Sequence, residues 1–137
     1  ARLYEFLYHL CRSYSYRIPS AALTGSQRDL QRVTHIMNWV KLHYPEPLSL
    51  ETAADSLALS KEYFCRLFKK YTGQTFLEYL NDVRTMHLYE DLQNSDETIT
   101  VLMEKNGLSN YKIFMRTFKK LYGSTPQKMR SNRIRHV

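Results

Sequence analysis

The sequence predicts an all-α fold, and three observations carry that expectation. Apolar residues recur at i, i+3, i+4 and i+7 along most of the chain, and no stretch alternates with period two for long enough to be a convincing strand. The apolar stretches are bounded by helix punctuation, with Ser, Thr or Asn in front and Gly or Pro behind. A pattern beginning at Phe64 also returns at Phe114, so the helices belong to a duplicated unit.

About seven helices follow, preceded by an N-terminal amphipathic one. Leu3, Phe6, Leu7, Leu10, Cys11 and Tyr14 fall on one helical face, a stripe that needs cover. Pro19 and Gly25 break residues 17–26, which read as a linker, and everything before about Arg28 reads as peripheral. The chain opens at Ala1 without a methionine, as expected of a fragment whose upstream domain is cut away; methionine removal or processing would look the same. A helix from Asp29 to about Tyr44, with Leu30, Val33, Met37 and Val40 inward, must end before Pro45 and Pro47. Ser49 caps a short helix over 50–57, and Ser60 caps one over 61–71 that Gly73 closes. Thr75-Phe-Leu-Glu78 is a capping box that opens a long helix to about Leu92, ordered by Phe76, Tyr79, Leu80 and Val83. Thr98 or Asp96 starts a helix over 99–105 that ends at Gly107, and Asn110 caps one that Gly123 ends. Thr125-Pro126 opens the last, with proline at the first helical position. The expected domains are 1–28, the remnant of an upstream unit; 29–75, a first subdomain; 76–93, a linker helix; and 94–137, a second subdomain.

With 137 residues, 43% hydrophobic and 24% charged, the chain has the composition of one ordinary globular domain, with or without an appendage. No apolar run is long enough for a bilayer span and no signal peptide opens the chain, so no membrane partner is expected. Cys11 and Cys65 make neither a disulfide scaffold nor a Cys-x-x-Cys metal site, and a reducing cytoplasm is the default compartment. The five histidines have no metal-ligand spacing and there is no Gly-rich phosphate loop, so neither a catalytic site, a metal nor a cofactor is expected. The net charge of +7 is unevenly placed: residues 109–137 carry eight basic side chains and no acidic one, while 49–108 carry six basic and ten acidic. Ile113, Phe114, Phe118 and Leu121 run through the basic block at helical spacing, which makes it a folded cationic surface suited to a polyanion.

The repeat gives that surface a form. Phe64-Cys-Arg-Leu-Phe-Lys-Lys-Tyr-Thr-Gly-Gln-Thr75 lies over Phe114-Met-Arg-Thr-Phe-Lys-Lys-Leu-Tyr-Gly-Ser-Thr125 with seven identities in twelve. Each copy follows a short helix and a tight turn, the layout of a helix-turn-helix. Burying Phe64, Leu67, Phe68 and Tyr71 leaves Lys61, Glu62, Cys65, Arg66 and Lys69 outside. Burying Phe114, Phe118 and Leu121 leaves Tyr111, Lys112, Met115, Arg116 and Lys119 outside. A helix with such a face fits a DNA major groove, where arginine bonds guanine O6 and N7 bidentately, so Arg66 and Arg116 are expected to read bases. Lys61, Lys69, Lys70, Lys119 and Lys120 are expected to contact phosphate, the paired lysines also suiting the negative ends of their helices. A linker helix of 17 residues spans about 26 Å, near the roughly 34 Å of one DNA turn, so one chain can offer two helices to successive grooves.

These residues resemble the DNA-binding region of AraC/XylS-type bacterial transcription regulators over about residues 30–131. The resemblance rests on Phe114-x-Arg-x-Phe-Lys-Lys, Gly123-x-Thr-Pro126 and Arg130 in the second unit. The first unit repeats Phe64-x-Arg-x-Phe-Lys-Lys after Ser49-Leu-Glu-Thr-Ala-Ala54, and the linker has Phe76-x-x-Tyr79-Leu80 with Arg84. It implies two helix-turn-helix subdomains and regulation of transcription through double-stranded DNA. It puts the base-facing positions on Glu62, Cys65 and Arg66 in the first unit and on Tyr111, Lys112, Met115 and Arg116 in the second. It further implies RNA polymerase as a partner, an upstream cupin-like domain that binds a small-molecule effector, and a full-length homodimer. Leu108 stands where the family usually has Phe, Met129 replaces an aromatic, and Leu88 and Met103 stand where small alanines are usual, from which a shifted second unit is expected. The alternative reading is an all-helical protein-interaction module with a basic docking surface.

Overall fold

The computed structural model describes residues 24–135, which form seven helices and no strand among the described residues. They are α1 (Gly25–His43), α2 (Leu50–Ser56), α3 (Lys61–Thr72), α4 (Phe76–Asn94), α5 (Ile99–Lys105), α6 (Tyr111–Tyr122) and α7 (Pro126–Arg135). The stripe at 3–14 and Cys11 lie outside the described residues.

Side-chain oxygens of Ser49, Ser60, Thr75, Thr98 and Asn110 each accept a backbone N–H from the residue three positions on, relieving donors that the helix leaves unpaired. α3 and α6 stop at Gly73 and Gly123, both left-handed, with φ of +77° and +74°. α1 begins earlier than the expected Asp29. Thr24 and Gln27 form a reciprocal capping box, and Gly25 sits inside the first turn rather than breaking it. Ser26 is not peripheral either, because its carbonyl accepts from Tyr71 Oη at 3.3 Å. Leu30, expected inward, is 52% exposed. Ile36 joins Val33 and Val40 in the core instead, and beside Leu30 it is Asp29 that turns to α3, accepting from Tyr63 Oη at 3.4 Å.

Two cores form, joined by one helix. Val33, Ile36, Val40, Ala53, Ala54, Phe64, Leu67 and Phe68 pack with Phe76, Tyr79, Leu80 and Val83 of α4. Leu102, Met103, Leu108, Phe114 and Phe118 pack with Leu88 and Leu92 further along the same helix. At 3.6 residues per turn the two α4 stripes point about 150° apart, so the helix serves one unit with each side. Leu88, Met103 and Leu108 are all buried together in the second core.

A polar clamp fixes the junction. Arg84 of α4 donates from Nε to the Tyr44 carbonyl at 2.6 Å and from Nη2 to the Glu46 carbonyl at 2.7 Å, closing the end of α1. Its half-buried setting pushes the guanidinium below its ordinary pKa by desolvation. His87 stacks on the Tyr44 ring with centroids 3.9 Å apart. Gly107, which ends α5 with φ +78°, leans on this junction so closely that no side chain fits there.

Candidate nucleic-acid interface

The two units are near copies in detail. Phe64 and Phe68 in α3, and Phe114 and Phe118 in α6, are fully buried, which turns the arginine two residues after the first Phe outward each time. Glu62, Cys65, Arg66, Lys61, Lys69 and Lys70 are all exposed on α3. On α6, Tyr111, Lys112, Arg116, Lys119 and Lys120 are exposed, and Met115 is half-buried with part of its side chain on the second core. Arg66 and Arg116 therefore occupy equal positions on two helices whose starts are capped and whose ends are glycine-closed.

The turns differ. Four residues separate α2 from α3, and five separate α5 from α6. Both leave the short helix through a left-handed residue, Ala58 with φ +54° in the first unit and Gly107 in the second. The extra residue in the second turn explains why the offset between copies is 49 at the short-helix caps, Ser49 and Thr98, but 50 in the recognition helices.

Beside α3, a cleft of about 420 Å³ is lined by Cys65, Arg66, Lys69, Lys70, Thr75 and Phe76. Three cations thus converge where α3 ends and α4 begins, a setting that attracts an anionic backbone. Lys61 is engaged at 2.7 Å with Glu51, which holds the carboxyl below its ordinary range and the ammonium above its own. Cys65 is an exposed free thiol. Among the described residues no group of His, Cys, Asp and Glu converges that could hold a metal ion, and no described helix is long and apolar enough to cross a membrane.

The basic C-terminal block divides into two sorts of charge. Lys120, placed among the phosphate-contacting lysines by its sequence pattern, lies 2.8 Å from the buried carboxylate of Asp82 on α4. Arg133 donates from Nη1 to the carbonyls of Leu92, Gln93 and Ser95 and from Nη2 to Asp96. Arg130 also reaches the Ser95 carbonyl, at 3.2 Å. These two arginines cover the carbonyl end of α4, a role that sequence reasoning missed; the run of charge gave no sign of it, although a helix end without its own basic residue needs such donors.

A family model described as a helix-turn-helix domain matches residues 53–132, more than half of the chain. An HTH-type transcriptional regulator of Staphylococcus aureus (strain MSSA476) is 33% identical over 102 residues, 74% of this chain and 14% of that protein. The HTH-type transcriptional activator RhaS of Escherichia fergusonii is 30% identical over 114 residues, 83% of this chain and 41% of RhaS. The chain thus spans a minor part of the length of these relatives. The solved structure of a Chromobacterium violaceum transcriptional regulator with an AraC-type DNA-binding domain superposes with a TM-score of 0.63 at 28% identity, over 80% of this chain and 95% of that one. Taken with the duplicated cationic helices, these matches establish that the chain belongs to the AraC-type family of helix-turn-helix transcriptional regulators and carries the DNA-binding region of that family.

Proposed function

We propose that the chain binds double-stranded DNA sequence-specifically by laying α3 and α6 in successive major grooves, and so regulates transcription at bacterial promoters. One observation carries this reading: Arg66 and Arg116 stand at the same position of two duplicated helices, both exposed and both flanked by exposed lysines. In each, buried phenylalanines fix the helix roll, so the arginine faces out without needing a loop to hold it. Arg66, Lys112 and Arg116 donate to base edges, Glu62 accepts from a cytosine N4 amine, and Cys65, Tyr111 and Met115 line the same face. Lys61, Lys69, Lys70 and Lys119 meet phosphates, with Lys61 exchanging Glu51 for DNA. Lys120, exposed beside its partner Asp82, meets phosphate as well. In the longer protein an upstream domain would bind a small-molecule effector and pair two copies, and RNA polymerase would be the downstream partner.

A gel-shift series on random and promoter duplexes at several salt concentrations tests the reading. A steep fall of affinity with salt together with a preferred site is expected. Arg66→Ala should relax preference in one half-site by about 1–3 kcal/mol, while Lys69→Ala should weaken all sequences alike. Binding that ignores duplex sequence would instead favour a basic protein-docking module.

A further inference from the structure

We propose that the second unit reads thymine methyl groups through an apolar edge made by Tyr111 and Met115, which makes the two halves of the bound site chemically different. The inference rests on the reading above, that α3 and α6 both face base edges. Tyr111 and Met115 are one helical turn apart at the start of α6, the end that a recognition helix turns toward base edges. Tyr111 is 54% exposed, yet its ring is braced by Phe114 at 6.4 Å and its hydroxyl accepts from Gln127 Nε2 of α7 at 3.5 Å. Met115 is anchored against the second core with part of its side chain in solvent. The result is an apolar strip held in place, bordered by Lys112 and Arg116.

The duplication supplies the internal control. The same two positions on α3 are Lys61 and Cys65, and Lys61 is directed to Glu51 rather than held on an aromatic brace. α3 therefore offers a cation and a small thiol where α6 offers a phenol ring and a thioether. Among the groups that base pairs display in the major groove, the thymine C5-methyl is the apolar one, and it pairs with apolar side chains. An exposed apolar strip inside a cationic face fits that methyl and no phosphate. Ile113, also exposed, lies round the opposite flank of α6 and is not part of the strip.

The test uses the full chain and a preferred duplex selected from a randomised pool. The half that loses its preference in Arg116→Ala is assigned to α6. Thymines are then replaced by deoxyuridine, which removes only the methyl, in one half at a time. Replacement in the α6 half should weaken binding about fourfold per contacted methyl, and replacement in the α3 half should leave affinity unchanged. The variant combining Tyr111→Lys with Met115→Cys, which gives α6 the α3 residues, should lose that sensitivity. Equal losses in both halves, no loss in the α6 half, a preferred α6 half without thymine, or a double variant that stays sensitive would each overturn the proposal. A pool that returns no preferred sequence overturns the DNA reading as well. The deoxyuridine comparison on the unaltered chain stands even if the double variant does not fold.

Discussion

Three glycines share one backbone conformation and differ in what surrounds them, and alanine at each would measure how firmly the two units are joined. Gly73, Gly107 and Gly123 have φ of +77°, +78° and +74°. Alanine in that left-handed region costs about 1–2 kcal/mol wherever it sits. A Cβ at Gly73 or Gly123 meets nothing within 4 Å, whereas at Gly107 it would stand 2.9 Å from Arg84 Nε and 3.0 Å from the carbonyl oxygens of Tyr44 and Pro45. Two of those atoms are backbone, and the third is held by hydrogen bonds of 2.6 and 2.7 Å, so none yields without moving α1 or breaking the clamp. Overpacking of this sort adds about 1–3 kcal/mol. Gly107→Ala should therefore lose about 2–5 kcal/mol, and Gly73→Ala or Gly123→Ala about 1–2 kcal/mol each. Urea unfolding of the three variants, with midpoint and slope both fitted, measures the difference. Equal losses at all three sites would refute the argument that Gly107 is held by close approach between the units.

Further expectations follow from the polar contacts and the turns. Lys120→Ala leaves the buried Asp82 carboxylate without its ammonium and should lower stability by about 1–3 kcal/mol, while Lys70→Ala, removing an exposed lysine, should change it by under ~0.5 kcal/mol in the same urea titration. Ala58→Gly relieves a left-handed alanine and should raise the unfolding free energy by roughly 0.5–1 kcal/mol; a loss would mean that the Ala58 methyl is needed where it stands. Glu51, hydrogen-bonded by Lys61, should titrate below the ordinary carboxylate range by NMR and move back up in Lys61→Ala. With its folded pKa depressed, the pair's contribution is present above the ordinary glutamate value and fades as pH falls through the folded one. Lys61, whose pKa is raised, loses its share as pH climbs through its own folded value.

What was legible in the sequence was local. Caps at Ser49, Ser60, Thr75, Thr98 and Asn110 act within three residues, so a short window contains the whole cause, and the helices start where those residues stand. The buried phenylalanines followed from a period shared by both copies. α1 starts ahead of the expected Asp29 because Thr24 and Gln27 close a capping box around Gly25, which sits in the first turn without breaking it. Leu30 lies outside the core because periodicity gives a face but not where the neighbouring helix stops covering it. Lys120, Arg130 and Arg133 could not be sorted from the other basic residues, since their partners Asp82 and Ser95 are 35 or more positions away. Charge is visible in a sequence; what it points at is not.

That sorting alters the physical picture of the basic block. With Lys120 on Asp82 and Arg130 and Arg133 at the end of α4, part of the C-terminal charge fastens α6 and α7 to the spine helix. The fastening matters for the proposed DNA reading, because α4 at 19 residues is about 28 Å long and carries both units. Arg84 bonded to the end of α1 and His87 stacked on Tyr44 tie the first unit to α4, and Gly107, close against the Tyr44 and Pro45 carbonyls, brings the second unit onto the same junction, which opposes an independent swing of the two. A protein that cannot adjust its reach leaves adjustment to the duplex, whose resistance to bending depends on sequence. Preference for a site would then come partly from base pairs between the two grooves that no side chain touches. It would be altered by loosening the clamp with Arg84→Ala even though Arg66 and Arg116 remain in place.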